Sequence, residues 1–455
     1  MSRLFFSGLA GAGMNPLAQL MRAWGHEVVG SDRGFDQGSQ PELRARLVAQ
    51  GITVVPQDGA AIVAGIDRVI YSTAVEGDTP ELSAAKRLGI PLQSRPQLLA
   101  DVVNQARPGV AIAGTSGKST VTGMIAWILR RAEHTATVLG GAALAGEGVA
   151  GCFAVGEPGG AAVAEACESD GTLIGYRPTI GVIHNITRDH AEIGDLRRQF
   201  ATFASQCGLL LVNNGCAEAA AIAAGHAHVR SYALHAQADV TLEVVSPGPH
   251  RARGVLNLPD GRELAIDLPQ PGTHNLENAA AAALVALECG IALEVIAGAL
   301  ADFPGVARRF QVVGITDSGI RVVDDYAHNG DKIRAAVTAA QAGCDRLVAI
   351  FKPHGFGPAR FLRRELAQLL PKLLRPHDRF CYAEIFYAGG TVAKDISSRD
   401  LAADLPASMR CGYAQTSAEV LSWTADAAGA GDTVLVMGAR DPDLPKLARA
   451  IYELL

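Results

Sequence analysis

"GVAIAGTSGKSTVTGMIAWIL" runs from Gly109 to Leu129. Its apolar run, Val110 to Ala113, stops at a turn of small residues. Lys118, Ser119 and Thr120 follow, and then an apolar pattern of helical period. Strand, turn and helix in that order describe a phosphate-binding loop, because a helix start offers free N–H groups and a positive dipole end to an anion. Gly114, Thr115, Ser116 and Gly117 form the cradle. Lys118 is placed for the β- and γ-phosphates, the Ser119 hydroxyl for Mg2+, and Thr120 completes the run. The full pattern G-x-x-x-x-G-K-[ST] asks for glycine at position 112, where this chain has Ile112. The loop therefore reads as shortened on its strand side.

The chain has 455 residues, room for about three domains. Apolar residues make up 49% and charged residues 19%, so a sizeable core can form. A net charge of −6 without a long basic run argues against nucleic acid or an anionic membrane as main partner. The cysteines at 152, 167, 207, 216, 289, 344, 381 and 411 form no C-x-x-C pair. They read as thiols of a reducing cytoplasm rather than a zinc or redox site. "MSRLFFSGLAGAG" reads as a first strand and not a signal peptide, and no uncharged apolar run is long enough for a membrane span.

Strands alternating with helices recur in three blocks, which predicts an α/β protein of three domains with mostly parallel sheets. Residues 1–107 open with a strand, "GLAGAGM", a helix and "HEVVGSD". This is a Rossmann-like turn with Gly8, Gly11 and Gly13 spaced G-x-x-G-x-G, and Asp32 at the end of the second strand, where an acid commonly meets a ribose. Pro108-Gly109 marks the next boundary, and residues 108–303 form the domain around the phosphate loop. "FPGVARRF" (303–310) is a Pro/Gly break, and residues 304–455 form a second Rossmann-like domain.

Two further groups carry chemistry. "ESD" and "DH" each follow an apolar run and bring Glu168, Asp170, Asp189 and His190 to the ends of strands, the edge where open α/β sheets bind ligands. Hard oxygen donors there suit Mg2+, and a histidine can complete a second site. Arg309, Asp325 and His354 stand in loops beside strands of the third block. An arginine there can stabilise a transferring phosphoryl group and an aspartate can grip a ribose.

In this order the motifs resemble those of the Mur ligases, ATP-dependent amide-forming enzymes of peptidoglycan synthesis. The likeness is greatest to the branch that adds L-alanine, or a recycled tripeptide, to UDP-N-acetylmuramate. "GLAGAGM", "GSD" and "YSTAV" resemble the UDP-binding domain; "GTSGKST", "ESD", "NITRDH" and "HNLENA" the ATPase domain; "ARRF", "DDYAHN", "FKPHGF" and "GDTVLVMGARD" the C-terminal domain. The resemblance implies that a substrate carboxylate takes the γ-phosphoryl group of ATP and that an amine then displaces phosphate. It implies Lys118, Glu168, His190 and Arg309 as catalytic residues, with Ser119, Glu168 and His190 as Mg2+ ligands. Gly114 to Thr120, His274, Asn278, Arg309 and Asp325 would bind ATP. Gly8, Gly11, Gly13, Met14, Asp32, Ser72 and Arg95 would hold the UDP-linked muramyl compound. Asn185, His328 and His354 would face the acceptor, an amino acid or peptide. The enzyme is expected to be cytoplasmic, a monomer or weak homodimer, and to swing closed about residues 303–310.

The chain also departs from the family's pattern. Ser116 stands where the branch has histidine, Ser119 where it has threonine, and Ala10 where a further glycine is usual. Gly355 and Pro358 occupy positions where alanine-adding members carry arginines, so a larger amine than free L-alanine is expected to suit that loop. Several family members bridge two metals with a carbamylated lysine in the central domain. Here no lysine occurs between Lys118 and Lys332, so the second metal would rely on His190 with water or substrate. The alternatives are a ligase acting on a different carboxylate outside the main pathway, or a nucleotide-binding member without catalysis.

Overall fold

The computed structural model describes residues 1–72, 79–146, 152–168, 171–187, 192–387 and 392–455. Three sheets carry the three blocks. The first is fully parallel, its strands ordered Thr53–Val55, Glu27–Ser31, Arg3–Ser7, Arg68–Tyr71, Leu92–Ser94. Leu4 and Phe6 face one side of it and Phe5 the other, so the "LFF" run is buried on both faces, as a central parallel strand demands.

The central sheet has the strand Gly109–Ala113 between Ile180–Ile183 and Ala162–Ala166, all parallel. Val110 to Ala113 are wholly buried. The position at which the full phosphate-loop pattern asks for glycine is thus a core residue of this strand, and the loop begins two residues later, at Gly114. The helix Lys118–Arg131 follows at once and buries Val121, Met124, Ile125, Ile128 and Leu129.

The third sheet runs Gln311–Ile315, Arg321–Asp325, Thr433–Gly438, Leu347–Lys352, Arg379–Ala383, Cys411–Ala414. Its first pair is antiparallel and the rest parallel. Val323, Leu347, Ala349 and Phe351 pack on one face, Val322, Val348 and Ile350 on the other.

These sheets fall into two compact units. One comprises Met1–Val245, Arg253–Leu268 and Thr273–Pro304; the other Ser246–Ala252, Pro269–Gly272 and Gly305–Leu455. The first two sheets share one apolar core, in which Leu4, Phe6 and Leu17 are continuous with Ala111, Ile183 and Phe200. The helix Arg95–Gln105 contributes Leu98, Leu99, Val102 and Val103 to it. Its start is fixed by a capping box in which Ser94 and Gln97 satisfy each other's backbone N–H groups. Among the described residues no helix is long and apolar enough to cross a membrane.

Close packing across the central sheet yields the first prediction. A Cβ on Gly181 would lie 2.2 Å from Cys207 Sγ and 3.1 Å from Phe203 Cζ. Gly181→Ala is expected to cost about 1–3 kcal/mol of stability in urea denaturation. Adding Cys207→Ala, which removes the nearest atom, should recover part of that loss.

Candidate active site

Lys118 opens the helix after Gly117, which has φ +82°. The lysine Nζ donates to Glu168 Oε2 at 2.8 Å and to the Gly114 carbonyl. The pair is shielded: the Lys118 side chain is 14% exposed and that of Glu168 is 4%. The same lysine and carboxylate that sequence spacing assigned to phosphate and metal are therefore neighbours, each offsetting the other's charge.

Asn185 braces the loop. Its Oδ1 accepts from Ser116 N at 2.8 Å and from the Thr115 hydroxyl at 3.0 Å, and its Nδ2 donates to the Ser116 carbonyl at 3.1 Å. Thr187 adds its N–H to Thr115 Oγ1 at 3.0 Å, with the two hydroxyls 2.8 Å apart. The resemblance sets Asn185 toward the acceptor; in the structure its carboxamide hydrogen-bonds to Thr115 and Ser116 of the phosphate loop.

Gly117 has a second reason to be glycine. A Cβ there would sit 2.5 Å from Asn278 Oδ1 and 2.9 Å from the His184 ring. Asn278 is buried on the helix Thr273–Glu288 and donates through Nδ2 to Asn275 Oδ1 at 3.1 Å. His274, one turn before it, is exposed at the helix start. Ser119 is buried at the first turn of its helix. His190, with Asp170 and Asp189, lies outside the described residues. Among the described residues, no three His, Cys, Asp or Glu side chains gather as a ready-made metal site.

At the edge of the first sheet the glycine turn is held from both sides. Gly11 N bonds to the Gly8 carbonyl, and Met14 N bonds back to Gly11 at the start of the helix Met14–Ala23. Asp32 Oδ2 accepts from Ala10 N at 2.9 Å, while Oδ1 accepts from Gly34 N at 2.7 Å. Its carboxylate thus ties the glycine turn to the second strand. Ser72 N meets the Ser7 carbonyl at 3.4 Å at the same edge. A Cβ on Gly13 would be 3.0 Å from Arg95 Cδ and 3.3 Å from its Nε, so the guanidinium stem passes over the helix start. The Met14 side chain is packed in the core and is 1% exposed.

The second unit holds its own polar cluster. Arg308, with φ +60°, pairs with buried Asp324 at 3.3 Å and donates to the Gly438 carbonyl at 2.6 Å. Burial outweighs that pairing and pushes the Asp324 carboxyl up to about 6. Arg309, the arginine singled out in the sequence, lies with its guanidinium over the Tyr326 ring, 5.2 Å from the centroid. Asp325 accepts from Phe310 N and Ala327 N, both at 2.7 Å, and so fixes the two loops it joins. The His328 ring meets those of Tyr326 and His354 edge-on, at 5.6 and 5.4 Å. Burial lowers both histidines to about 4. His328 Nδ1 is 2.8 Å from the Tyr326 carbonyl, which only accepts, so Nδ1 carries the proton and Nε2 the lone pair. Gly355 has φ +73° and ψ +142°, begins the helix Phe356–Leu373, and donates its N–H to the Phe386 carbonyl at 2.7 Å. An arginine at that position would be strained.

Sequence reading missed His184, Tyr232 and Arg308. Arg308 is within reach of the sequence, since "ARRF" offers two arginines, but its partners Asp324 and Gly438 lie far along the chain. His184 carried a weak signal, a polar residue at the end of an apolar strand.

Three family models match consecutive stretches of the chain: "Mur ligase family, catalytic domain" over residues 4–107, "Mur ligase middle domain" over 112–286, and "Mur ligase, glutamate ligase domain" over 308–440. A protein of Xanthomonas euvesicatoria named UDP-N-acetylmuramate–L-alanine ligase is 37% identical over 96% of this chain and 93% of its own. One of the same name from Stenotrophomonas maltophilia is 36% identical over the same shares. Among solved structures, the UDP-N-acetylmuramate–alanine ligase of Thermotoga maritima superposes with a TM-score of 0.80 at 23% identity, covering 100% of this chain and 99% of that one. The murein peptide ligase of Psychrobacter arcticus gives 0.71 at 22%, over 100% and 98%. These two share the three-domain α/β fold. The chain belongs to the Mur ligase family and is an ATP-dependent ligase that forms C–N bonds, of the type that builds peptidoglycan precursors.

Gly117→Ala meets both obstacles named above, the left-handed backbone and the occupied space. It is expected to weaken ATP binding about tenfold or more while circular dichroism stays native-like. Calorimetric titration with a non-hydrolysable ATP analogue checks this.

Proposed function

We propose that this Mur ligase uses ATP to activate the carboxylate of a UDP-N-acetylmuramyl-type substrate and joins it to the amine of an amino acid or peptide. The observation that carries the proposal is 37% identity along 96% of the chain to a protein named UDP-N-acetylmuramate–L-alanine ligase. A ligase for an unrelated carboxylate, or a member without catalysis, fits less well with that likeness and with the intact Lys118–Glu168 pair.

In the reaction, a carboxylate oxygen attacks the γ-phosphorus of ATP, and ADP leaves. The amine attacks the acyl carbon of the resulting acyl phosphate, and the tetrahedral intermediate expels phosphate. Lys118 exchanges Glu168 for phosphate oxygens, and the amides of Gly114 to Thr120 cradle the chain. Asn278 and His274 border the adenine, Asp325 the ribose, and Arg309 the transferring phosphoryl group. A hydroxyl and a nearly buried carboxylate, Ser119 and Glu168, are hard oxygen donors that fit Mg2+ once phosphates complete its shell. When bound, Mg2+ neutralises charge that builds on the phosphoryl oxygens. His190 is assigned to a second Mg2+ near the carboxylate. Gly8, Gly11 and Gly13, with Asp32, Ser72 and Arg95, border the UDP moiety, and Met14 supports that turn from the core.

On the acceptor side, neutral His328 and His354 present no positive charge to an incoming ammonium. The Nε2 lone pair of His328 is the atom able to take a hydrogen bond from it. The loop at Gly355 and Pro358 lacks the two arginines found in alanine-adding members, and the backbone at Gly355 disfavours one. A larger amine or a peptide, bringing its own contacts, fits this loop better than L-alanine. The enzyme acts in the cytoplasm, where its nucleotide substrates are.

Two measurements test this. Lys118→Ala should lower ADP release about 100-fold or more with the fold retained; near-native turnover would remove the phosphate-loop assignment. Calorimetry with UDP-N-acetylmuramate should show binding. ADP release should then be about tenfold or more faster with L-alanyl-γ-D-glutamyl-meso-diaminopimelate than with L-alanine, the weight of one charge-assisted contact. Efficient L-alanine ligation would overturn the choice of amine and leave the reaction class standing.

A further inference from the structure

His184 ends the strand Ile180–Ile183, where its N–H donates to the Ala113 carbonyl at 3.0 Å. It stands directly beneath the phosphate loop and is 4% exposed. Its Nδ1 is 2.6 Å from the hydroxyl of Tyr232, a fully buried residue of the strand Val229–Ala233. The two rings lie 18° from parallel, with centroids 6.1 Å apart. On the other side of the ring stands the Asn278 side chain, and burial lowers the imidazole to about 4. Both His184 Nε2 and Asn278 Oδ1 lie against Gly117, 3.1 and 2.5 Å from where its Cβ would be.

A neutral imidazole has one N–H and one lone pair. The partners assign them. Asn278 Nδ2 donates to Asn275 Oδ1, so Asn278 Oδ1 is the atom that accepts. Nε2 of His184 therefore carries the proton and donates to Asn278. Nδ1 carries the lone pair and takes the Tyr232 O–H. The bonds run in one direction: Tyr232 O–H to His184 Nδ1, His184 Nε2–H to Asn278 Oδ1, Asn278 Nδ2–H to Asn275 Oδ1. Each donor has an acceptor, and reversing any one link would set two donors or two acceptors face to face.

From this geometry we infer that His184 and Tyr232 are positioning residues for ATP, which hold the Asn278 amide in one orientation and seat Gly117 of the phosphate loop upon it. Neither touches the reacting atoms. They act through Asn278 and the loop backbone, so their loss is felt in nucleotide binding. The inference rests on residues 114–120 being the ATP phosphate loop.

Tyr232→Phe deletes only the hydroxyl and leaves Nδ1 without its donor. His184→Asn removes the ring. Steady-state ADP release, with each substrate varied in turn, should show KM for ATP raised about 5- to 20-fold in both variants. KM for UDP-N-acetylmuramate should move less than twofold, and kcat at saturating ATP less than threefold. A double-mutant cycle adds a sharper readout: Tyr232→Phe combined with Asn278→Ala should be no worse for ATP than Asn278→Ala alone, because the route through Asn278 is already cut. Thermal denaturation reports folding separately, and if His184→Asn does not fold, Tyr232→Phe and the cycle carry the test. A lowered melting midpoint with KM for ATP unchanged within twofold would overturn the inference, since the network would then be structural only. Additive losses in the cycle, or equal rises in KM for every substrate, would do the same. Lys118→Ala is run alongside. If it spares ATP use, the phosphate-loop reading fails; if it abolishes ATP use while Tyr232→Phe has no effect, only the positioning inference fails.

Discussion

Lys118 and Glu168 face each other at 2.8 Å where little water reaches. An ion pair in such a place is held by mutual need: either charge left alone would pay a desolvation penalty of several kcal/mol. That constraint organises the central site. In the function proposed, a phosphate takes the lysine from the carboxylate and a divalent cation takes the lysine's place. A nucleotide carrying a divalent ion satisfies both at once. On the proposed reading neither partner alone does, and the pair would favour the loaded nucleotide over bare phosphate or bare metal.

The shape around that pair comes from the parallel sheet. Gly109–Ala113 is buried on both faces, and only four residues separate it from the helix Lys118–Arg131. Such a short connection must turn within Gly114 to Gly117, and the two glycines take the backbone angles that other residues avoid, φ +152° and +82°. The Asn185 carboxamide braces the turn at Ser116, accepting from its N–H and donating to its C=O. The loop is thus braced by the protein's own groups, and preorganised donors are what stabilise charge developing on a phosphoryl group.

Much of this was legible in the sequence. The strand–glycine–lysine–helix order gave the phosphate loop, and alternating apolar runs gave three α/β blocks, because both rest on local patterns a few residues long. The missing glycine at 112 also had a readable cause, since Ile112 continues an apolar run. What escaped was everything set by contacts distant in sequence. Asn185 reaches back 69 residues to Ser116, and His184 reaches 48 residues to Tyr232. Arg308 and Arg309 are adjacent and chemically identical, and both guanidiniums lie over the Tyr326 ring, yet the one at 308 also pairs with Asp324 and donates to the Gly438 carbonyl. No local rule separates them; only the packing of the third sheet does.

The shared core of the first two sheets bears on how such an enzyme can be taken apart. Leu98, Leu99, Val102 and Val103 sit on a helix that follows the last strand of the first sheet, yet they are packed in the same cluster as Ala111 and Phe200 of the central one. Trp24 reaches across as well, its indole N–H donating to the Gly156 carbonyl at 2.8 Å. A fragment cut at the Pro108-Gly109 boundary would leave two greasy, incomplete halves, each with an apolar face to aggregate. The N-terminal module is therefore not a free cassette. Grafting it from one relative to another means transplanting the buried seam with it, and heat should melt the two sheets in a single cooperative step.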